Sequence, residues 1–482
     1  MTKPSAPDPT WIVQKYGGTS LGKFPLDIAN IIEKSRKTNQ IAVIVSARSG
    51  KIKAQGTTTR LLQALAIAEK LPGKPGRDAF LKIVDDIRQD HFEAARRFIT
   101  SPDLQREYME FVEEECQSLI RKLGAVQENC EITPMNENRI VCKGEILGAR
   151  FLVAVLEGRG CEARCVDLSD TIRDFGIATD VAEIDLYSDL TAALTAVGLN
   201  ASALQIWKEI DGIFTADPRK APTARLLPSI TPSEAAELTF YGSEVINSVA
   251  MQQVVRAQIP IRVLNVIKPT GQGTMIAASP KEPTTTTTAP TTPDLTLSRG
   301  KPLADTTLLN IPKRPTAITV KRSVLLLNIR SNRKIGAPGF LSQVFQTLDR
   351  HNLSAAPIAS SEVNVSLGLH SEIPMVLRSL DDAGEEKIII KDKRLRKACE
   401  KLVQLGDVDI RTDMAILSLV GRGLKNMVGI SGRFFGVLGE AGVNVEMISQ
   451  GASEINISCV ICEEDADRAL SVVHTHLFTF LD

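Results

Sequence analysis

No stretch of this 482-residue chain is apolar for long enough to span a membrane as a helix. No apolar core ahead of a cleavage site follows Met1-Thr2-Lys3-Pro4-Ser5, so no secretory leader is expected. Charge of one sign is missing too. Lys plus Arg and Asp plus Glu number 57 each, and without a global field neither nucleic acid nor an anionic membrane is an expected partner. The Gly-Lys-Ser/Thr of a Walker loop is absent. Of eight cysteines, only Cys459-Val-Ile-Cys462 has the spacing of a redox or zinc pair. It has neither a second pair nor suitably spaced histidines, and it sits in an apolar run that reads as a strand. The cysteines therefore read as small buried hydrophobes of a reducing, cytoplasmic compartment, and no metal-binding side chains are assigned.

What is present is ordinary globular composition, 43% apolar and 24% charged, on a chain too long for one core. Residues 283–293, PTTTTTAPTTP, divide it. Repeated proline removes backbone donors and short threonine side chains bury too little to offset ordering entropy, so a disordered linker is expected over 281–312. Beyond it the chain repeats itself. Gly339-Phe340-Leu341, Phe345 and Leu348 return 90 residues later (339 to 429) as Gly429-Ile430-Ser431, Phe435 and Leu438. Glu362-Val363-Asn364-Val365-Ser366 returns 92 later (362 to 454) as Glu454-Ile455-Asn456-Ile457-Ser458. In each copy a β-rich run (323–329; 414–420) precedes a helix (339–349; 429–440), a turn and two alternating strands, which predicts two ferredoxin-like βαββαβ modules over 313–400 and 401–482. A last helix is expected over 465–474.

Residues 1–280 alternate short apolar strands (11–15, 41–46, 205–210, 261–265) with helical stretches (60–70, 78–97, 103–123), the pattern of an α/β sandwich with a mostly parallel sheet. Lys15-Tyr16-Gly17-Gly18-Thr19-Ser20 ends the first strand. A Gly pair there lets backbone amides approach phosphate oxygens, with Lys15 as a point charge and Thr19 and Ser20 as hydroxyls, although a plain turn also uses such a pair. Val45-Ser46-Ala47-Arg48-Ser49 leaves the second strand where ligand mouths open in parallel sheets. Trp207 to Arg219, WKEIDGIFTADPR, runs from a strand through an Asp-Gly turn into an Asp-Pro-Arg hook. Its Lys208 and Arg219 could neutralise phosphate, and the backbone near Phe214 could meet an adenine edge.

These segments, with Thr231-Pro232-Ser233-Glu234-Ala235-Ala236-Glu237-Leu238 and Tyr241-Gly242, resemble the aspartokinase family, particularly its fungal form. The C-terminal repeat resembles that family's paired ACT modules. The resemblance implies an amino-acid-kinase α/β/α sandwich that phosphorylates the β-carboxylate of L-aspartate with ATP and Mg²⁺. Such a step leads toward homoserine, threonine and methionine, or toward an aspartate-derived specialised product of the fusaric-acid type. It implies Lys15, Gly17, Gly18 and Asp189 in catalysis, and Thr19, Ser20, Ser46, Glu145 and Ser188 at the aspartate. Lys208, Phe214, Asp217 and Arg219 would hold the nucleotide. Gly339, Gly429, Ile430 and Asn444 would meet an effector amino acid, threonine in the family, and exposed sheet edges of the modules imply a homo-oligomer.

The sequence departs from the family most plainly in one motif. Where Gly-Arg-Gly-x-Ser/Thr-Asp is usual, it reads Ile184-Asp185-Leu186-Tyr187-Ser188-Asp189, and the segment after Asp170 is short. An acid in place of the substrate-pairing arginine opens an alternative, a nucleotide- and amino-acid-binding regulatory homologue with impaired turnover.

Overall fold

The computed structural model describes residues 10–50, 56–70, 79–129, 132–168, 184–242, 246–277, 314–332, 339–370, 375–380, 386–451 and 455–479. The linker expected over 281–312 and the short segment after Asp170 lie outside the described residues, as do the side chains of 184–187. By packing, the chain forms two units. One is Met1–Ile213 with Ile246–Ala278, and the other is Phe214–Val245 with Ser279–Asp482.

The first unit opens with β1 (Trp11–Tyr16), α1 (Gly18–Lys23), α2 (Pro25–Ser35) and β2 (Gln40–Val45). Four helices follow, α3 (Thr57–Lys70), α4 (Ala79–Phe98), α5 (Pro102–Asn129) and α6 (Pro134–Glu157). Then come α7 (Ile184–Gly198) and β3 (Ala203–Lys208). The chain passes through β4 (Ser229–Ile230) and α8 (Pro232–Phe240), which belong to the second unit, and returns as α9 (Ser248–Arg256), β5 (Ile261–Asn265) and β6 (Thr274–Ile276).

Strands β2, β1, β3 and β5 pair in that order, all parallel, and β6 adds antiparallel to β5. Parallel strands are covered on both faces, which is why β1 and β3 are almost continuously apolar. The exceptions satisfy one another. Buried Gln14 donates to Gln205 Oε1 (2.9 Å) and Ser35 Oγ (3.1 Å), while the Tyr16 hydroxyl and the Trp207 indole donate to Gln14 and Gln205. The two rings stack with centroids 6.0 Å apart. In α4, Phe80, Val84, Ile87, His91 and Ala94 are buried at helical spacing, and they pack with Tyr108, Val112, Leu119 and Leu123 of α5 and with Leu147 and Phe151 of α6.

The second unit contains β7 (Ala317–Ser331), α10 (Phe340–Arg350), β8 (Ala355–Ser360), β9 (Asn364–His370), the hairpin β10 (Val376–Leu380) and β11 (Glu386–Ile390), and α11 (Lys393–Leu402). It continues through β12 (Gly406–Val420), α12 (Ile430–Glu440), β13 (Met447–Ser449), β14 (Asn456–Cys462) and α13 (Ala466–His474). A single antiparallel sheet runs β13-β14-β12-β7-β9-β8.

Both βαββαβ modules are therefore built, but by sharing strands. The sequence repeat marks strands only over 323–329 and 414–420, whereas β7 and β12 are each 15 residues long. Irregular points at Ser323 (φ 56°) and Asp413 (φ 54°), with register shifts between Arg411 and Ile416, divide each strand in two. The later half of β7 gives Leu325, Leu327 and Ile329 to a core with Val344, Leu348, Leu367 and Leu395. Its earlier half gives Ile318 to the other core, with Leu417, Leu419, Phe434, Leu438, Ile457 and Leu470. Each module thus receives its last strand from the other, and the central pair hides two edges that separate modules would expose. Cys459 and Cys462 fall on opposite faces of β14, and burial pushes the Cys459 thiol up to about 12.

At Gly406 the shared pair leaves no room for a side chain, because a Cβ there would stand 1.9 Å from the Arg330 carbonyl oxygen. Gly406→Ala is expected to cost about 1–3 kcal/mol by overpacking, seen as a lower urea midpoint. Gly432, with open space around it, serves as the control: Gly432→Ala in α12 should leave the midpoint unchanged or raise it.

Candidate active site

Because β1, β2 and β3 are parallel, their carboxyl ends share one edge of the sheet, where ligands bind in open α/β folds. Lys15 is the penultimate residue of β1 and is buried. Its Nζ lies 2.9 Å from Asp189 Oδ1 in the first turns of α7, and Asp189 Oδ2 accepts the Asn247 backbone N–H at 3.1 Å. Beyond the end of β2, the buried Ser46 hydroxyl lies 3.0 Å from the hydroxyl of buried Ser188. Four positions identified from sequence, in three separate segments, therefore meet at one place: Lys15, Ser46, Ser188 and Asp189.

The two glycines have different duties. Around Gly17, which precedes α1, nothing stands within 4 Å of where a Cβ would be, so its backbone is open to a ligand. A Cβ at Gly18 would stand 2.0 Å from the Ala47 carbonyl oxygen. Gly18 is needed for close packing of α1 on the loop after β2, and the Ser49 N–H donates to its carbonyl at 2.9 Å. Ser20 is buried and donates to Glu209 Oε1 at 2.7 Å, just past β3, while Thr19 is half-buried. Lys208, the last residue of β3, is half-buried. Glu145 is half-buried on α6 beside Gly144, where that helix comes so near the loop that a Cβ would stand 2.9 Å from Ala47 Cβ.

Phe214, Asp217 and Arg219 belong to the second unit. Phe214 bridges to Leu226. Asp217 accepts from Arg219 three times, from its backbone N–H (3.0 Å), Nε (3.1 Å) and Nη2 (2.9 Å), and these bonds hold its carboxyl below the ordinary aspartate range. The hook is closed on itself, with the Arg219 side chain 87% exposed. In the modules, Gly339 (φ 82°) and Gly429 (φ 79°) start α10 and α12 in the left-handed conformation, Ile430 is the buried first residue of α12, and Asn444 donates to Glu446 at 2.7 Å.

The model of the amino acid kinase family matches residues 10–265, and that of an ACT domain matches 417–477. The aspartokinase of Schizosaccharomyces pombe is 40% identical over 98% of this chain and 93% of its own length. The chain belongs to the aspartokinases. The aspartate kinase FUB3 of Gibberella moniliformis is also 40% identical, over 98% of each chain. Escherichia coli aspartokinase III, solved with aspartate and ADP, has a TM-score of 0.72 at 25% identity over 97% of this chain and 99% of its own. Solved with lysine and aspartate, it has a TM-score of 0.67 at the same identity and coverage.

This aspartokinase also holds the loop after β2, which carries Ser46, by residues that sequence reasoning did not assign. Arg48, 5% exposed, reaches from the Ser46 loop to α4, where Nη2 lies 2.5 Å from Asp90 Oδ2 and donates to the Asp90 carbonyl at 2.7 Å. Arg60 of α3 pairs with the same carboxylate at 3.1 Å. Thr57 donates to the Arg48 carbonyl through its backbone N–H (3.1 Å) and its hydroxyl (2.9 Å). Asp90 and Arg60 lie inside ordinary amphipathic helices, so no local pattern flags them. One carboxylate thus anchors two cations, and through Arg48 it fixes the backbone that carries Ser46.

Beside this anchor His91 is fully buried, with Nδ1 2.6 Å from the Tyr108 hydroxyl, which donates to the Leu147 carbonyl at 3.2 Å. Burial first, then the charges of Arg48 and Arg60, hold the imidazole well below its usual pKa. Unfolded, it takes a proton near pH 6.5 while the folded form stays neutral, so acidification favours unfolding.

Two outcomes follow. Asp90→Asn should raise KM for aspartate and lower kcat/KM by on the order of tenfold, by loosening the Ser46 loop, with KM for ATP little changed in steady-state assays. Stability should decline as pH falls from about 6.5 through the depressed His91 pKa, and His91→Gln should flatten that slope in urea titrations at stepped pH.

Proposed function

We propose that this chain transfers the γ-phosphoryl group of ATP to the side-chain carboxylate of L-aspartate, giving 4-phospho-L-aspartate. The observation that supports this most directly is the Lys15–Asp189 pair, 2.9 Å apart at the carboxyl edge of the parallel sheet, beside the open backbone of Gly17. Two anions must be brought together there, so the chemistry is mostly positioning and charge stabilisation.

In this reading Lys15 meets the transferring phosphoryl group as a point charge, and the backbone at Gly17 and Gly18 lines its path. Asp189 holds Lys15 in place. Ser46, Ser188 and Glu145 hold aspartate, Glu145 facing its ammonium, while Ser20 steadies the end of β3 through Glu209 (2.7 Å) and Thr19 adds a hydroxyl. Lys208 takes the nucleotide end on the first unit, and Phe214, Asp217 and Arg219 remain nucleotide contacts proposed from their motif. Mg²⁺ would enter with the nucleotide as MgATP and would supply charge neutralisation to its phosphates, with no side chain of this chain assigned to hold it.

The paired modules are proposed to sense an amino acid, with threonine the candidate, at Gly339, Gly429, Ile430 and Asn444. A homo-oligomer formed through them belongs to the same proposal. The regulatory alternative is not favoured, because the likeness to named aspartokinases runs over nearly the whole chain. Among the described residues no helix is long and apolar enough to cross a membrane.

A coupled assay should show ADP release that requires ATP and aspartate together. Lys15→Met should lower kcat by on the order of a hundredfold to a thousandfold, the scale of one lost charge-stabilising donor. It should also lower the urea midpoint because it leaves Asp189 without its cation, so kcat is read under conditions where the variant is folded. ADP release indifferent to aspartate would overturn the proposal.

A further inference from the structure

Within the second unit, a cavity of about 380 Å³ is lined by three arginines, Arg225, Arg314 and Arg422. They come from different places in the chain: Arg225 from the hairpin that follows Phe214, Arg314 from the run into β7, and Arg422 from the turn after β12. Thr215 and Thr316 add hydroxyls to the lining, and Glu234 is its one carboxylate among the described residues.

That carboxylate is already committed. It accepts the Thr231 N–H (3.0 Å) and hydroxyl (2.7 Å), the Thr316 hydroxyl (2.5 Å) and the Arg422 N–H (3.2 Å), and its Oε2 lies 3.5 Å from Arg422 Nε. Burial pushes the Glu234 carboxyl up, but these donors outweigh burial and hold it below its ordinary range, so it is ionised at neutral pH. Three arginines and one carboxylate, itself committed to these donors, therefore line one concavity. Planar guanidinium forks match the paired oxygens of a tetrahedral or carboxylate anion, and hydroxyls complete its coordination. We propose that this cavity binds a small dianion of the phosphate class.

The cavity is distinct from the proposed nucleotide contacts. Among the described residues that line it, none is Phe214, Asp217 or Arg219. Its position also gives a bound anion something to control. The hairpin is already seamed to the C-terminal segment: His474 lies 2.9 Å from the Thr215 hydroxyl and 3.0 Å from that of Thr223, Lys220 pairs with Asp467 at 3.0 Å, and Arg225 donates to the Phe478 carbonyl at 2.9 Å. An anion joining Arg225 and Arg314 to Arg422 tightens that seam, and the same chain contains the Asp217–Arg219 hook.

The test uses the full chain saturated with ADP and Mg²⁺, so that any phosphate position in the kinase site is filled. Potassium phosphate is titrated calorimetrically at constant ionic strength, with sulfate as a second tetrahedral dianion. One saturable phosphate site per chain is expected, weakened about tenfold by Arg314→Gln, the scale of one charge-assisted contact, and partly restored by Arg314→Lys. Arg225→Gln should weaken it independently. The absence of saturable heat from either dianion, or an affinity unchanged in both Gln variants, overturns the proposal. Failure of the chain to bind ADP would count against the kinase reading alone.

Discussion

Lys15 and Asp189 lie 2.9 Å apart although 174 positions separate them (189 − 15). Neither charge would be tolerable alone at this depth, since the cost of an unpaired buried ion exceeds what any neighbouring contact returns. The pair therefore fixes the direction in which α7 enters the site. That entry brings Ser188 against Ser46, and the Asn247 amide closes on the other carboxylate oxygen. In the proposed reaction a substrate carboxylate and a nucleotide phosphate brought here would find a cation already oriented, which keeps the reorganisation needed during transfer small.

The loop after β2 shows how packing carries that precision outward. Gly18, Gly144 and Gly148 each let a neighbouring helix come within van der Waals range of residues 46–48, where a Cβ would collide or crowd. Arg48 then fastens the loop to α4 through Asp90, and the carboxylate is shared with Arg60. The glycines remove the freedom to drift and the ion cluster removes the freedom to lift. The buried His91 beside them makes this part of the structure sensitive to acid, because burial and two arginines both oppose its protonation.

In the second unit a different constraint governs. A βαββα segment alone ends one strand short, and here each module completes its sheet with half of a 15-residue strand that the other also uses. The two modules cannot separate without breaking the central β7–β12 ladder, so a ligand bound by either acts on a common sheet. The hairpin from Phe214 and the arginine-lined cavity join the same body.

The sequence alone determined the elements whose information is local. The strand-exit glycines after Lys15, the duplicated Gly339 and Gly429 helix starts, the linker composition and the fold class could be read because turn chemistry, periodicity and repetition act over a few residues. The meeting of Ser46 with Ser188, and of Lys15 with Asp189, was inferred only through family resemblance, since no spacing encodes contacts made across the fold. Asp90 and the cluster of Arg225, Arg314 and Arg422 carried no signal at all, and Arg48 and Glu209 stood inside flagged segments without a role of their own: in sequence each is one more charge on a helix or turn. Nor did the repeat show that β7 and β12 extend beyond it, because strand sharing is settled by which edges remain unpaired once both modules have packed. Tertiary structure decided these points, for burial and ion pairing depend on what the fold brings together rather than on what stands next along the chain.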